Sequence, residues 1–270
     1  MSTTTMDKPL GRGGGPESGT EAGFAEGRQV PLSRLVKVEL RKMVDTRAGL
    51  WLVVTMAAIS AIVMVIMFAT SQASDRTFLN FMAIMATPQA ILLPILGILL
   101  VTQEWGQRTG MVTFTLTPHR GRVMSAKVVA ALLLGFAALG VCLVIATAAA
   151  LVGGSSQAWT GIGADDIGKF AILEVSSVLS GLAFGLLFLN SAVAIVVYLV
   201  LPNVFSVVAG LWSVLHTVRP WVDLAVSQPK LYGGGAMSGL DWAHLATGTA
   251  IWVVLPFVVG LARVLRAEVK

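Results

Sequence analysis

The sequence predicts an all-α membrane protein with six transmembrane helices and both termini cytoplasmic, and three observations lead there. Of 270 residues, 56% are hydrophobic and 12% charged, with a mean hydropathy of +0.81. A soluble domain of this length needs a far more polar surface. Six apolar stretches, at 50–70, 81–102, 128–152, 170–189, 192–215 and 245–265, each reach the roughly 20 residues that cross a bilayer as a helix. Finally, the cations are one-sided. Of nineteen Lys and Arg residues, only Arg76, Lys169, Arg219 and Lys230 fall on the side opposite the termini. The positive-inside rule then places both termini in the cytoplasm. Trp51 and Trp105 mark the inner boundary, and Trp159, Trp221 and Trp242 the outer one.

The net charge of +5 flanks apolar segments instead of forming a basic domain, which argues against a nucleic-acid partner. The single cysteine, Cys142, lies inside an apolar run, so no disulfide framework is available. Residues 1–30 are rich in Gly, Ser, Thr and Glu without apolar periodicity, and read as a disordered cytoplasmic tail. No apolar h-region follows the start, so this is not a secretory signal peptide.

Residues 31–48 form the second unit, a basic amphipathic helix ahead of the span region 49–270. At 100° per residue Leu32, Leu35, Val36, Leu40, Met43 and Val44 share one face, and Arg34, Lys37, Arg41 and Asp45 the other. Such a helix is expected to lie in the headgroup layer with its cations on anionic lipid. Glu39 falls in the middle of the apolar stripe, where a carboxylate is costly to bury alone. Two partners are open to it: Lys42 at i+3, or a basic group on a partner or on the 103–127 segment.

That segment, TQEWGQRTGMVTFTLTPHRGRVMSAK at 102–127, places Trp105, Val112 and Leu116 along one helical face, with Glu104 and Arg108 at i,i+4 beside it. Thr117-Pro118 ends the helix, because the residue before proline is pushed out of the α region. Without further information it reads as a cytoplasmic loop carrying positive-inside charge.

Glu39-Leu40-Arg41-Lys42 with Arg47, then Glu104, Gly110, Thr117-Pro118, Arg122 and Lys127, and LNSAVAIVVYLVLP at 189–202, together resemble ABC exporter permeases of the type-2 class, actinobacterial members in particular. The resemblance runs from about residue 31 to the C-terminus. It implies an interfacial connecting helix at 39–47, and a coupling helix at 104–116 that docks on a separate ATPase subunit through Glu104, Trp105, Arg108, Val112 and Leu116. It also implies a second permease chain, identical or paralogous, and short re-entrant helices within 216–243. ATP and Mg would be bound by the partner ATPase, with no cofactor on this chain. The sequence departs from many relatives at Gly106-Gln107, a less charged start to the coupling helix.

No ATPase motif is encoded. Gly163 to Phe170 has the G-x4-G-K spacing but ends in Phe, with no hydroxyl for Mg²⁺ and no preceding strand. His119, His216 and His244 lack metal-ligand spacing, so the chain reads as a non-enzymatic subunit. Within the spans, Glu174 is the one carboxylate. An intramembrane acid is a functional candidate, and its place about four residues into span four equally allows it to reach the outer interface. Gly181 and Gly185 form a GxxxG pair that lets another helix approach closely. Pro88, Pro94, Pro202 and Pro256 each remove a helical hydrogen bond.

The expected function is therefore the permease subunit of an ATP-driven exporter in a bacterial plasma membrane. Two rivals stand beside it: a non-transporting anchor or signalling subunit of the same kind of complex, and a secondary transporter acting without ATP. The last needs ionisable groups near the midplane, where only Glu174 is offered.

Overall fold

A computed structural model describes residues 31–106, 120–233 and 235–266. The described residues contain no strand, and six of their helices are long and apolar enough to cross a membrane, at Arg47–Thr70, Phe78–Trp105, Gly121–Val152, Asp166–Phe188, Ser191–Leu211 and Gly239–Arg266. The chain is a multi-pass membrane protein. The tail 1–30 and Arg108, Val112 and Leu116 lie outside the described residues.

A short helix, α1 (Leu32–Asp45), precedes the spans. It stops at Thr46, whose extended backbone turns the chain and whose hydroxyl accepts from Gly49 N, capping α2 (Arg47–Thr70). The corner is tight enough that a Cβ on Gly49 would collide with the Met43 carbonyl. The apolar stripe of α1 is not spread on a lipid surface. Val36, Glu39 and Met43 are buried, and the stripe packs with Val123, Met124 and Leu100 of the bundle. Of the described stripe residues only Leu32 is exposed, and Val38, off the stripe, is exposed as well. The cations Lys37 and Arg41 still face outward, as the periodicity requires.

The spans α2, α3 (Phe78–Gly106), α4 (Arg120–Val152), α5 (Asp166–Phe188) and α6 (Ser191–Leu211) alternate in direction. Span six is compound: α9 (Gly239–Thr249), a π-helical turn at Ala250–Val254, then α10 (Leu255–Arg266). Between α6 and α9 run two one-turn helices, α7 (Arg219–Val222) and α8 (Leu224–Ser227). Helices α3 and α5 form the centre, with 61% of their most apolar stretch buried, against 11% for α2 and α6. The first pair is the core of the bundle. The second pair gives its apolar side chains to whatever surrounds the chain.

The α3–α5 contact is made by missing side chains. A Cβ on Gly181 would collide with the Pro94 backbone, and one on Gly97 with the Val178 carbonyl. Gly185 meets Ile98 in the same way at 3.0 Å. The GxxxG pair therefore packs on α3 of the same chain. Pro94 lacks the N–H that would bond Ala90 O, and the Ser177 hydroxyl donates to that carbonyl at 3.4 Å. The proline break and the serine opposite it satisfy each other.

Candidate functional site

At the α1 end of the bundle three helices bring four charges together. Glu39 projects from α1, Glu104 from the last turn of α3, and Lys127 from the second turn of α4. Lys127 Nζ donates to Glu39 Oε2 at 2.6 Å and to Leu100 O at 2.9 Å, and lies 3.2 Å from Glu104 Oε1. Lys42 Nζ, one turn along α1 from Glu39, donates to Glu39 Oε1 and Glu104 Oε1, both at 2.8 Å. The side chains of Lys127, Glu39 and Glu104 are 1%, 5% and 6% exposed, and that of Lys42 is 36%. Two carboxylates and two ammonium groups sum to zero. A buried ion group is tolerable only under that balance, with the remaining protons and lone pairs hydrogen-bonded. Burial alone would lower the Lys42 pKa, but the Glu104 and Glu39 carboxylates overcome it and hold the group above its ordinary value.

Glu39 thus takes both of the partners open to it, Lys42 at i+3 and Lys127 at the end of the 103–127 segment. The network is tied further by Gln103, whose amide donates to Thr46 Oγ1 at 3.5 Å, and by Thr102, whose hydroxyl is 2.7 Å from Ser191 Oγ at the start of α6. At the same end the Arg263 guanidinium donates to Leu187 O, one of the last carbonyls of α5. Trp105 is half-buried and packs against the apolar cluster beneath. Arg41 instead makes an exposed pair with Asp45.

Among the five residues expected to contact a partner ATPase, Glu104 and Trp105 are described. Both belong to the last turn of α3 rather than to a separate helix. The Glu104 side chain is buried, and its carboxylate is paired with Lys42 and Lys127. The segment 107–119 connects α3 to α4, so its two anchor points, 106 and 120, stand close in sequence to Glu104 and Lys127.

The opposite end carries a second set of charges. Lys169, 1% exposed, pairs with Asp165 at 2.7 Å and Asp166 at 2.9 Å and donates to Gly235 O at 2.7 Å. Its neighbour Gly163 N donates to Asp166 Oδ2. The P-loop-like spacing is therefore the ion-paired start of α5. These pairings let α5 begin at Asp166, four residues before the apolar stretch does. Glu174 consequently sits eight residues inside the helix. It is buried inside the bundle: Glu174 is 1% exposed, and neither carboxylate oxygen has a hydrogen-bond partner among the described residues. In the same layer, Gln89 donates to the Cys142 sulfur at 2.9 Å.

Sequence reasoning missed two ion pairs at this end. Arg219 pairs with buried Asp223 at 3.0 Å and donates to Ser206 Oγ, and Lys230 pairs with Asp241 at 2.6 Å. The i,i+4 spacing of Arg219 and Asp223 was the available signal. Trp252 Nε1 donates to Val222 O at 2.7 Å, which holds the last residue of α7 about 20 Å along span six from either of its ends at 1.5 Å per residue. Within 216–243, where the resemblance implies short re-entrant helices, the chain forms the one-turn helices α7 and α8.

No protein-family model and no curated protein matches this chain.

Proposed function

We propose that this chain is the transmembrane subunit of an ATP-driven ABC exporter of the type-2 class, resident in a bacterial plasma membrane with both termini cytoplasmic. One observation carries the reading. Glu39, Lys42, Glu104 and Lys127, four of the residues on which the family resemblance rests, form one ion network although Glu39 and Lys127 are separated by 88 positions. Residues picked out by sequence pattern alone have no general reason to converge in space.

The network supplies a mechanism. The 107–119 segment, with Arg108, Val112 and Leu116, would dock on a separate ATPase subunit that binds ATP and Mg. Its motion is delivered at both anchors, to the end of α3 and the start of α4. Glu104 and Lys127 there are locked to each other and to α1, so α1, α3 and α4 are displaced as one body. Through Thr102–Ser191 the same displacement reaches α6. A second permease chain, a copy or a paralogue, would meet the sparsely buried faces of α2 and α6 and share the pathway. Lipid covers what remains.

The test is a pull-down in mild detergent of this chain expressed with its neighbouring reading frames. A co-purifying protein with a Walker A motif, whose ATP turnover falls with Arg108→Glu, supports the proposal. An empty pull-down under gentle conditions contradicts it and favours a transporter acting without ATP.

A further inference from the structure

A cavity of about 230 Å³ lies between α3, α5, α6, α8 and the π-helical turn of span six. Ser180 is eight residues from the α1 end of α5, Tyr198 seven from that end of α6, and Trp252 fourteen from that end of span six. At 1.5 Å per residue the cavity therefore occupies about 10–20 Å of depth, in the middle of a bilayer about 30 Å thick.

Three interruptions of regular helix meet at its wall. Pro202 lies inside α6 and lines the cavity, freeing the Tyr198 carbonyl. The Ala250–Val254 turn bonds Leu255 N to Ala250 O, a π pattern, and puts Trp252 and Val253 on the cavity. One-turn α8 contributes Leu224 and Ala225, and Gln228, which follows it, adds its side chain. Irregular backbone at membrane depth is tolerated where it is buried in protein or lines a cavity, and π-bulges concentrate at functional sites.

The lining chemistry is specific. It holds no charged side chain but several hydrogen-bonding ones, Ser180, Tyr198, Asn203 and Gln228 among them. The Ser180 hydroxyl, the Tyr198 hydroxyl and the Gln228 amide have no partner among the described residues. Asn203 uses its amide N–H on Leu199 O, leaving its oxygen to accept. Phe184 stands edge-on to Tyr198 at 5.6 Å, giving a rigid aromatic wall. Polar groups with unfilled bonding capacity at this depth are costly unless a ligand or water completes them.

We propose that this cavity binds a small uncharged molecule carrying a hydroxyl or carbonyl group on an apolar body. A cavity of about 150 Å³ holds benzene, so this one accepts a body of roughly ten heavy atoms. Absence of charge in the lining excludes ions and zwitterions, whose desolvation would go uncompensated. Ile91 and Asn203, both exposed, stand at the mouth, so entry is sideways from the surrounding apolar phase. The inference stands on geometry alone and does not need the exporter reading.

The experiment uses the full chain in lipid nanodiscs, with a photoreactive octanol bearing a diazirine as the probe and mass-spectrometric mapping of the labelled residues. Labelling is expected to saturate and to concentrate on 198–203 and 252–253. Tyr198→Phe keeps the wall and removes one hydroxyl, and should weaken saturation about fivefold, the equivalent of one hydrogen bond. Ser180→Leu fills the cavity and should abolish saturable labelling, while Val196→Leu on the exposed face of α6 leaves it unchanged. The same diazirine on a hydrocarbon without the hydroxyl should label these residues no more than other lipid-facing positions. Non-saturating labelling spread over the exposed faces overturns the proposal, as does equal labelling by the two probes, or wild-type labelling in Tyr198→Phe.

Discussion

The two ends of the bundle both bury a lysine at 1% exposure, yet they use it differently. Lys127 reaches across 88 positions to Glu39 and joins three helices, whereas Lys169 satisfies itself on Asp165 and Asp166 in its own first turn, plus one carbonyl of a neighbouring loop. The first arrangement is a joint between elements, and the second is a helix start. A long-range buried ion group transmits displacement, because moving any one member uncovers a charge in a medium that cannot solvate it. A local one only fixes where its own helix begins.

The comparison can be broken by substitution, and the largest effect is expected at the joint. Lys127→Met leaves two carboxylates facing one half-exposed lysine. It should cost about 3–5 kcal/mol, read by unfolding in detergent, because one partner of a buried ion pair is removed. Adding Glu39→Gln restores a neutral pair of Glu104 and Lys42 and should recover part of that loss. Hydrogen exchange sharpens the contrast. Lys127→Met should raise exchange in α1, the end of α3 and the start of α4 together, whereas Lys169→Met should raise it only around 163–170 and 235. Exchange spreading equally in both variants would erase the distinction.

Next comes the helix contact that carries the joint into the core. Gly181→Ala drives a Cβ into the Pro94 backbone, which cannot yield as a flexible side chain would, and should cost about 1–3 kcal/mol. An unchanged melting temperature would mean that α3 and α5 separate more readily than their packing implies.

A smaller effect is expected at Lys42, the half-exposed member. Its pKa is raised above the ordinary 10.5, so its stabilisation is fully present below 10.5 and is lost as pH rises through the folded value. The stability gap between wild type and Lys42→Met should therefore be flat from about pH 6 to 9 and close only above about 10.5. A gap that closes near neutrality would place the titrating group elsewhere. The least effect belongs to Arg41→Ala, whose pair with Asp45 is 75% and 60% exposed, within about 0.5 kcal/mol.

The spans were legible because twenty apolar residues in a row have few other uses, and all six appear, with boundaries shifted by up to seven residues. Span starts were less legible where charges extend a helix beyond its apolar run. Lys169 and Asp166 look like loop residues until they pair, so Glu174 was placed too near the boundary. The amphipathic stripe of α1 was correct, but periodicity does not say whether lipid or protein covers it. Burial of Val36 and Met43 against α4 answers that. Glu39 was the most informative residue in the sequence: a carboxylate on an apolar face demands a cation, although nothing in the pattern distinguishes Lys42 from a distant partner. The interior cavity was out of reach, since Ser180, Tyr198 and Gln228 belong to three elements whose juxtaposition only folding produces.

The most direct measurement is ATP turnover in the co-purified complex for wild type, Lys127→Met and the Glu39→Gln/Lys127→Met double variant. If the ion network is the joint between the 107–119 segment and the helices, the single substitution depresses turnover and the double one recovers part of it. Equal turnover in all three, with the ATPase still bound, would show that the network holds the fold and transmits nothing.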